Sequence, residues 1–210
     1  ASVRPGIPLM EKLGQVFAGL CPAAITSIEV EVRGEIAEHD VSVLKLAALK
    51  GVFSRIVSEQ VSYVNAPLMA EARGMDVTLT TDEHSSDYRN VLTIKGVLSD
   101  GHVVSASATL TGSKQTQKLV GINGYELEVP LAAHHIVMMY EDRPGIVAVY
   151  GKAFGEANIN IAGMQIARDT VAGQALSVLT VDSRVPDELL AEVAAAISAT
   201  TMAPIDVVDL

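Results

Sequence analysis

Tryptophan is absent from this sequence, and aromatic residues together make up only 4% of it. An interior of any size must therefore be aliphatic, built from the Val, Ile, Leu and Ala that dominate its 49% hydrophobic share. Basic residues are also scarce: 15 Lys and Arg stand against 25 Asp and Glu, a net charge of −10. A surface that tracks nucleic-acid phosphates needs clustered Lys and Arg, so this balance argues against such a partner. No apolar run approaches the roughly 20 residues of a membrane span. The single cysteine, Cys21, cannot form an internal disulfide, and with no activating base in view it reads as a buried, inert thiol. The opening "ASVRPGIPLMEKLG" lacks the basic start and continuous apolar segment of a secretory signal, so cytoplasm is the expected location. An initial Ala fits either removal of Met or a piece of a longer protein.

Several chemistries are missing too. There is no G-x-G-x-x-G, so no dinucleotide site is visible and no cofactor is expected in the chain. "GIVAVYGKA" resembles a phosphate loop only loosely, because Ala153 stands where Ser or Thr would meet magnesium and apolar residues fill it at helical spacing. His134 and His135 are adjacent and point to opposite faces of a strand, which argues against a metal. No catalytic constellation is present, and the chain reads as non-catalytic.

At about 210 residues the chain can form one large domain or two small ones, and its patterns favour two. Ile7–Leu20 has helical spacing. "ITSIEVEVRGEI" alternates as a strand with one wet face. Asp40 is placed to cap a helix running through Val57, and Asn65 to cap a short helix ending at Gly74. Four β-like stretches follow between Met75 and Val129, with hairpin turns expected at Ser99–His102 and Ile122–Tyr125. Residues 1–131 therefore read as an α+β domain with an antiparallel sheet. Residues 132–210 read as β-α-β-β-α-β, the ferredoxin-like plan. Asp142 is expected to cap the first helix of that unit, with Ile146, Val149, Ala153 and Phe154 on its inner face. Leu189, Leu190, Val193 and Ile197 align on the second helix.

RNA-binding versions of this plan need stacking aromatics and positive charge, and copper-carrying versions need C-x-x-C; both are lacking. The stretch with the most chemical content is "YEDRPGIVAVYGKAFGEANINI", Tyr140–Ile161. Unpaired N–H groups around Pro144, Gly145 and Ile146 at a helix mouth suit a carboxylate. Asp142 suits an ammonium, and Asn160 offers both a donor and an acceptor. These are the parts of an α-amino-acid site.

That stretch, in its β-α-β-β-α-β frame, resembles the ACT domain, a regulatory amino-acid-binding module. Its acid-x-Pro-Gly–helix–Asn-Ile-Asn pattern looks like the C-terminal domain of D-3-phosphoglycerate dehydrogenase. "VEVRGEIAEHDVSVLKLAALKGVFS", "VSYVNAPLMAEARG" and "GINGYELEVP" are similar to the intervening, or allosteric substrate-binding, domain of the long form of that enzyme. The resemblance implies the regulatory end of an NAD-dependent dehydrogenase in serine biosynthesis, with the catalytic domains elsewhere. It further implies L-serine at the interface of two ACT domains. Tyr140, Asp142, Pro144, Gly145 and Ile146 would come from one subunit and Asn160 from its neighbour, in a dimer or tetramer. Lys118 matches a basic position of a possible anion site, but it is followed by Tyr125, Glu126 and Pro130, where acidic charge opposes phosphate. Two other roles fit the same residues: an assembly module with no ligand response, and the regulatory region of a bacterial L-serine dehydratase.

Overall fold

A computed structural model describes residues 3–210. The chain opens with α1 (Gly6–Leu20), β1 (Ile25–Gly34) and a single turn of 3-10 helix at Glu35–Glu38. Then follow α2 (Ser42–Phe53), α3 (Asn65–Ala72), β2 (Asp76–Asp82), β3 (Asn90–Leu98), β4 (Val103–Thr111), β5 (Thr116–Ile122) and β6 (Tyr125–Pro130). Six strands form one sheet in the order β2-β1-β3-β4-β5-β6. The alternation in β1 works as expected: Ile28, Val30 and Val32 are buried beneath the helices.

This sheet is not purely antiparallel, because β2 pairs parallel with β1. The helices α2 and α3 carry the chain back to the starting end of β1, and a crossover of that kind delivers the next strand in the same direction. Between α1 and α2 the backbones nearly touch. A Cβ on Gly51 would lie 2.1 Å from the Glu11 carbonyl oxygen, and one on Gly14 would lie 2.5 Å from that of Ala48. Both glycines are there because the helix crossing has no room for a side chain.

Local details depart from the expectations in three places. Asp40 does accept a hydrogen bond from Ser42 N (3.0 Å), but α2 ends at Phe53 and the chain turns before Val57. Asn65 is already helical; its side chain folds back to Ser62, whose Oγ accepts from Asn65 N at 3.2 Å. Ser62 is thus the residue serving that helix start. At Ser99–His102 only Gly101 has positive φ (+86°), so the turn is a three-residue loop, whereas Asn123 and Gly124 at the second hairpin both have positive φ.

The second sheet is built from β7 (His134–Glu141), β8 (Ile161–Asp169), β9 (Gln174–Val181) and β10 (Thr201–Asp206), with α4 (Ile146–Glu156) and α5 (Asp187–Ile197). Its order is β10-β7-β9-β8 and every neighbouring pair is antiparallel, which is the ferredoxin-like plan. One face packs Ile136, Met138 and Leu179 against Ile146, Tyr150 and Phe154 of α4 and Leu190, Val193 and Ile197 of α5. Val149, expected on the inner face of α4, is 38% exposed, while Tyr150 is fully buried in its place.

The other face carries Val137, Leu176 and Val178, which join Ala203, Ile205 and the α1 residues in one continuous core with the first sheet. That double coverage explains why β9 is buried without alternation from Ala175 to Leu179, its one polar member, Ser177, included. The Gln15 side chain also pairs with the backbone of Val208, donating at 2.8 Å and accepting at 3.0 Å. No described helix is long and apolar enough to cross a membrane.

Candidate functional site

The mouth of α4 is formed by Gly145, which has φ +93° and precedes the first helical residue. The first helical hydrogen bond runs from Val149 N to the Gly145 carbonyl at 3.2 Å, so the amides of Ile146, Val147 and Ala148 precede the ladder. Nothing lies within 4 Å of where a Gly145 Cβ would be, so glycine is needed there for its backbone conformation while the space above remains open.

Asp142 does not cap this helix. Its backbone N–H donates to the Gly173 carbonyl (2.9 Å), and its Oδ2 accepts from Arg168 Nε at 2.6 Å. Gly145 in the left-handed conformation starts the helix without a side-chain cap. Sequence reasoning passed over Arg168, although the alternation of β8 contains the signal. Met164, Ile166 and Arg168 fall on the same face, and Arg168 is in register with Ala175 of β9, itself opposite Tyr140 of β7. Arg168 is 61% exposed while the Asp142 side chain is only 20% exposed, so the carboxylate lies beneath the guanidinium.

Tyr140 lies inside the core at 2% exposure, with its hydroxyl 2.5 Å from Ser177 Oγ. Tyr150 lies nearby, and its hydroxyl donates to Met164 Sδ at 3.0 Å; burial pushes its phenol pKa up to about 12. Tyr140 therefore anchors the end of β7 from inside the core, and Asp142 follows two residues later, just past the strand.

Asn158 has φ +58° and ends α4, where Ile159 N donates to the Phe154 carbonyl at 2.8 Å. Asn160 is exposed just before β8; its N–H donates to Asp182 Oδ1 and its carbonyl accepts from Asp182 N, both at 3.3 Å. Asp142 is level with Gly173 just before one end of β9, and Asn160 with Asp182 just past the other. The eight residues of β9 lie between those levels, which are therefore about 30 Å apart at the usual strand rise. One chain thus brings Asp142, Pro144, Gly145 and Ile146 together and leaves Asn160 at the far end of the sheet.

Lys118 is ion-paired with Glu128 on the neighbouring strand β6, and Tyr125 and Glu126 are close along the same strand. Cys21 is half-buried; its thiol donates to the Phe17 carbonyl and burial pushes its pKa up to about 12, far from a reactive thiolate. Among the described residues no group of three His, Cys, Asp or Glu side chains is placed to hold a metal ion.

Residues 2–123 match the family described as the D-3-phosphoglycerate dehydrogenase intervening domain, and residues 134–198 match the ACT domain. The chain is 36% identical over 200 residues to D-3-phosphoglycerate dehydrogenase of Mycobacterium leprae, covering 95% of this chain and 38% of that protein. The enzyme of the same name from Synechocystis is 33% identical, covering 91% of this chain and 34% of the relative. That from Archaeoglobus fulgidus is 30% identical, over 90% and 36% respectively. The chain thus spans somewhat over a third of the length of these relatives.

Proposed function

Because this chain belongs to the D-3-phosphoglycerate dehydrogenase intervening-domain family and carries an ACT domain behind it, we propose that it is the serine-sensing regulatory part of such an enzyme. In this reading it binds L-serine between two copies of its ACT domain and transmits feedback inhibition to an NAD-dependent catalytic part. We place the division between residues 131 and 132, in the connection between β6, which ends at Pro130, and β7, which starts at His134.

The observation that carries the reading is the placement of the two half-sites along β8. This strand is the last of its sheet, and among the described residues no strand pairs with its outer side, although β6 lies against it, Glu128 N donating to Gln165 Oε1 at 2.7 Å. Exposed edges are usually covered. When two β8 strands pair antiparallel about a two-fold axis, the Asn160 end of one meets the Asp142 end of the other. Each of two pockets then receives the α4 mouth and Asp142 from one copy and Asn160 from its mate. The amides at Ile146 and beyond take the serine carboxylate, Asp142 takes the ammonium, and Tyr140 supports the pocket floor. A ligand that bridges two copies favours one arrangement over another, which is how it can act on a distant active site.

A calorimetric titration of the chain with L-serine tests this directly. Saturable binding is expected, weakened at least about tenfold by Asp142→Ala, the usual reach of one charge-assisted hydrogen bond. No heat from folded dimer would leave the same β8 pairing as an assembly device without ligand response. The existing Asp142–Arg168 pair favours that second reading, because it gives one carboxylate oxygen a charged partner without any ligand. At Lys118, pairing to Glu128 and the nearby Glu126 weigh against a phosphate-bearing ligand in the intervening domain.

A further inference from the structure

Resting on the amino-acid reading of the α4 mouth, we infer that Arg168 is a specificity-determining residue: it makes the pocket require an ammonium and a carboxylate on the same ligand. A helix mouth alone accepts almost any carboxylate, and a lone Asp accepts almost any amine. Arg168 changes both conditions. It projects from the face of β8 that also carries α4, in register with Tyr140 across β9, and its Nε holds Asp142 Oδ2 at 2.6 Å.

This is a single-point pair that leaves chemistry open on both sides. Asp142 keeps its second carboxylate oxygen, and the two terminal nitrogens of Arg168 make no hydrogen bond to protein among the described residues. A guanidinium has five N–H donors in a fixed fork, so holding Asp142 through Nε leaves the Nη groups free for another oxyanion. The pair as a whole is neutral. A simple amine therefore meets a carboxylate whose charge is already shared, and a simple acid meets a guanidinium in the same condition. An α-amino acid extends the pair on both sides, its ammonium on Asp142 and its carboxylate on Arg168 and the helix amides.

The test compares three small ligands against the chain and two variants by calorimetry. L-Serine carries both groups, ethanolamine lacks the carboxylate, and 3-hydroxypropanoate lacks the amine. The wild type is expected to bind L-serine and to discriminate strongly against ethanolamine. Arg168→Gln should weaken L-serine and shrink its advantage over ethanolamine by at least about tenfold, the reach of one charge-assisted hydrogen bond. Arg168→Lys keeps the charge, should retain most of the discrimination, and guards against a folding defect in the glutamine variant. L-Serine binding with an unchanged preference in both variants would overturn the role of Arg168 alone. Absence of L-serine binding by the folded wild type would overturn the amino-acid site and this role together.

Discussion

In the N-terminal unit helices close one face of six strands and leave the other wet, with Glu31, Arg33, Thr93 and Lys95 along it. In the C-terminal unit both faces of four strands are covered, by α4 and α5 on one side and by the N-terminal unit on the other. The difference shows where each unit can interact. The first is tied together internally, by a helix crossing so close that two glycines are required. The second has no free face; what it leaves open is the mouth of α4, at which the candidate site is placed, and the unpaired backbone edge of β8, which β6 approaches.

The same substitution in the two units should have opposite signs. Gly51→Ala drives a Cβ into the Glu11 carbonyl, and is expected to destabilise the protein by about 3 kcal/mol, at the upper end of overpacking costs. For a chain of this length that corresponds to roughly 6–12 °C in melting temperature. Gly151→Ala in α4 meets nothing within 4 Å and replaces a helix-interior glycine, so it should stabilise by roughly 0.5–1 kcal/mol. Calorimetric melting of the two variants checks both values. Equal effects of the same sign would break the contrast between a tight helix crossing and an open one.

The seam between the units supplies a smaller effect. His135 is 1% exposed; its Nε2 accepts from Ala132 N at 2.9 Å and its Nδ1 is 3.2 Å from Thr180 Oγ1. Burial depresses its pKa below the ordinary 6.5, so the folded state holds this ring neutral while the unfolded state takes up a proton first. Stability is therefore unaffected by this group above about pH 6.5, falls as pH drops below that, and levels off beneath the folded-state pKa. His135→Gln should flatten that part of the acid-side decline, measured as melting temperature between about pH 7.5 and 5. An unchanged slope would mean that the seam does not sense pH through His135.

Much of this architecture was legible in the chain. Period-two alternation marks β1, and turn residues mark the hairpin at Asn123–Gly124, because those signals are local. The parallel pairing of β2 was not legible, since strand direction depends on where α2 and α3 deliver the chain. On α4 helical spacing aligns Val149 with Ile146, but packing selects Ile146, Tyr150 and Phe154 at four-residue steps, with Tyr150 filling the core under the helix. At the site, the Asp-x-Pro-Gly stretch was visible as a unit. Arg168 was not, because its meeting with Asp142 is set by the register of β8 on β9 and β9 on β7, 26 residues away along the chain.

The central claim is that each pocket is completed by two copies, and subunit complementation tests it most directly. Asp142→Ala and Asn160→Ala chains are prepared separately, then unfolded and refolded together in equal amounts, and titrated with L-serine. Each variant alone should bind weakly. In a heterodimer one pocket receives an intact Asp142 from one chain and an intact Asn160 from the other, while its counterpart carries both defects. Random pairing should therefore restore about a quarter of the wild-type sites, as a symmetric two-fold interface requires. A mixture that binds no better than its separate components, although heterodimers have formed, would contradict the shared pocket.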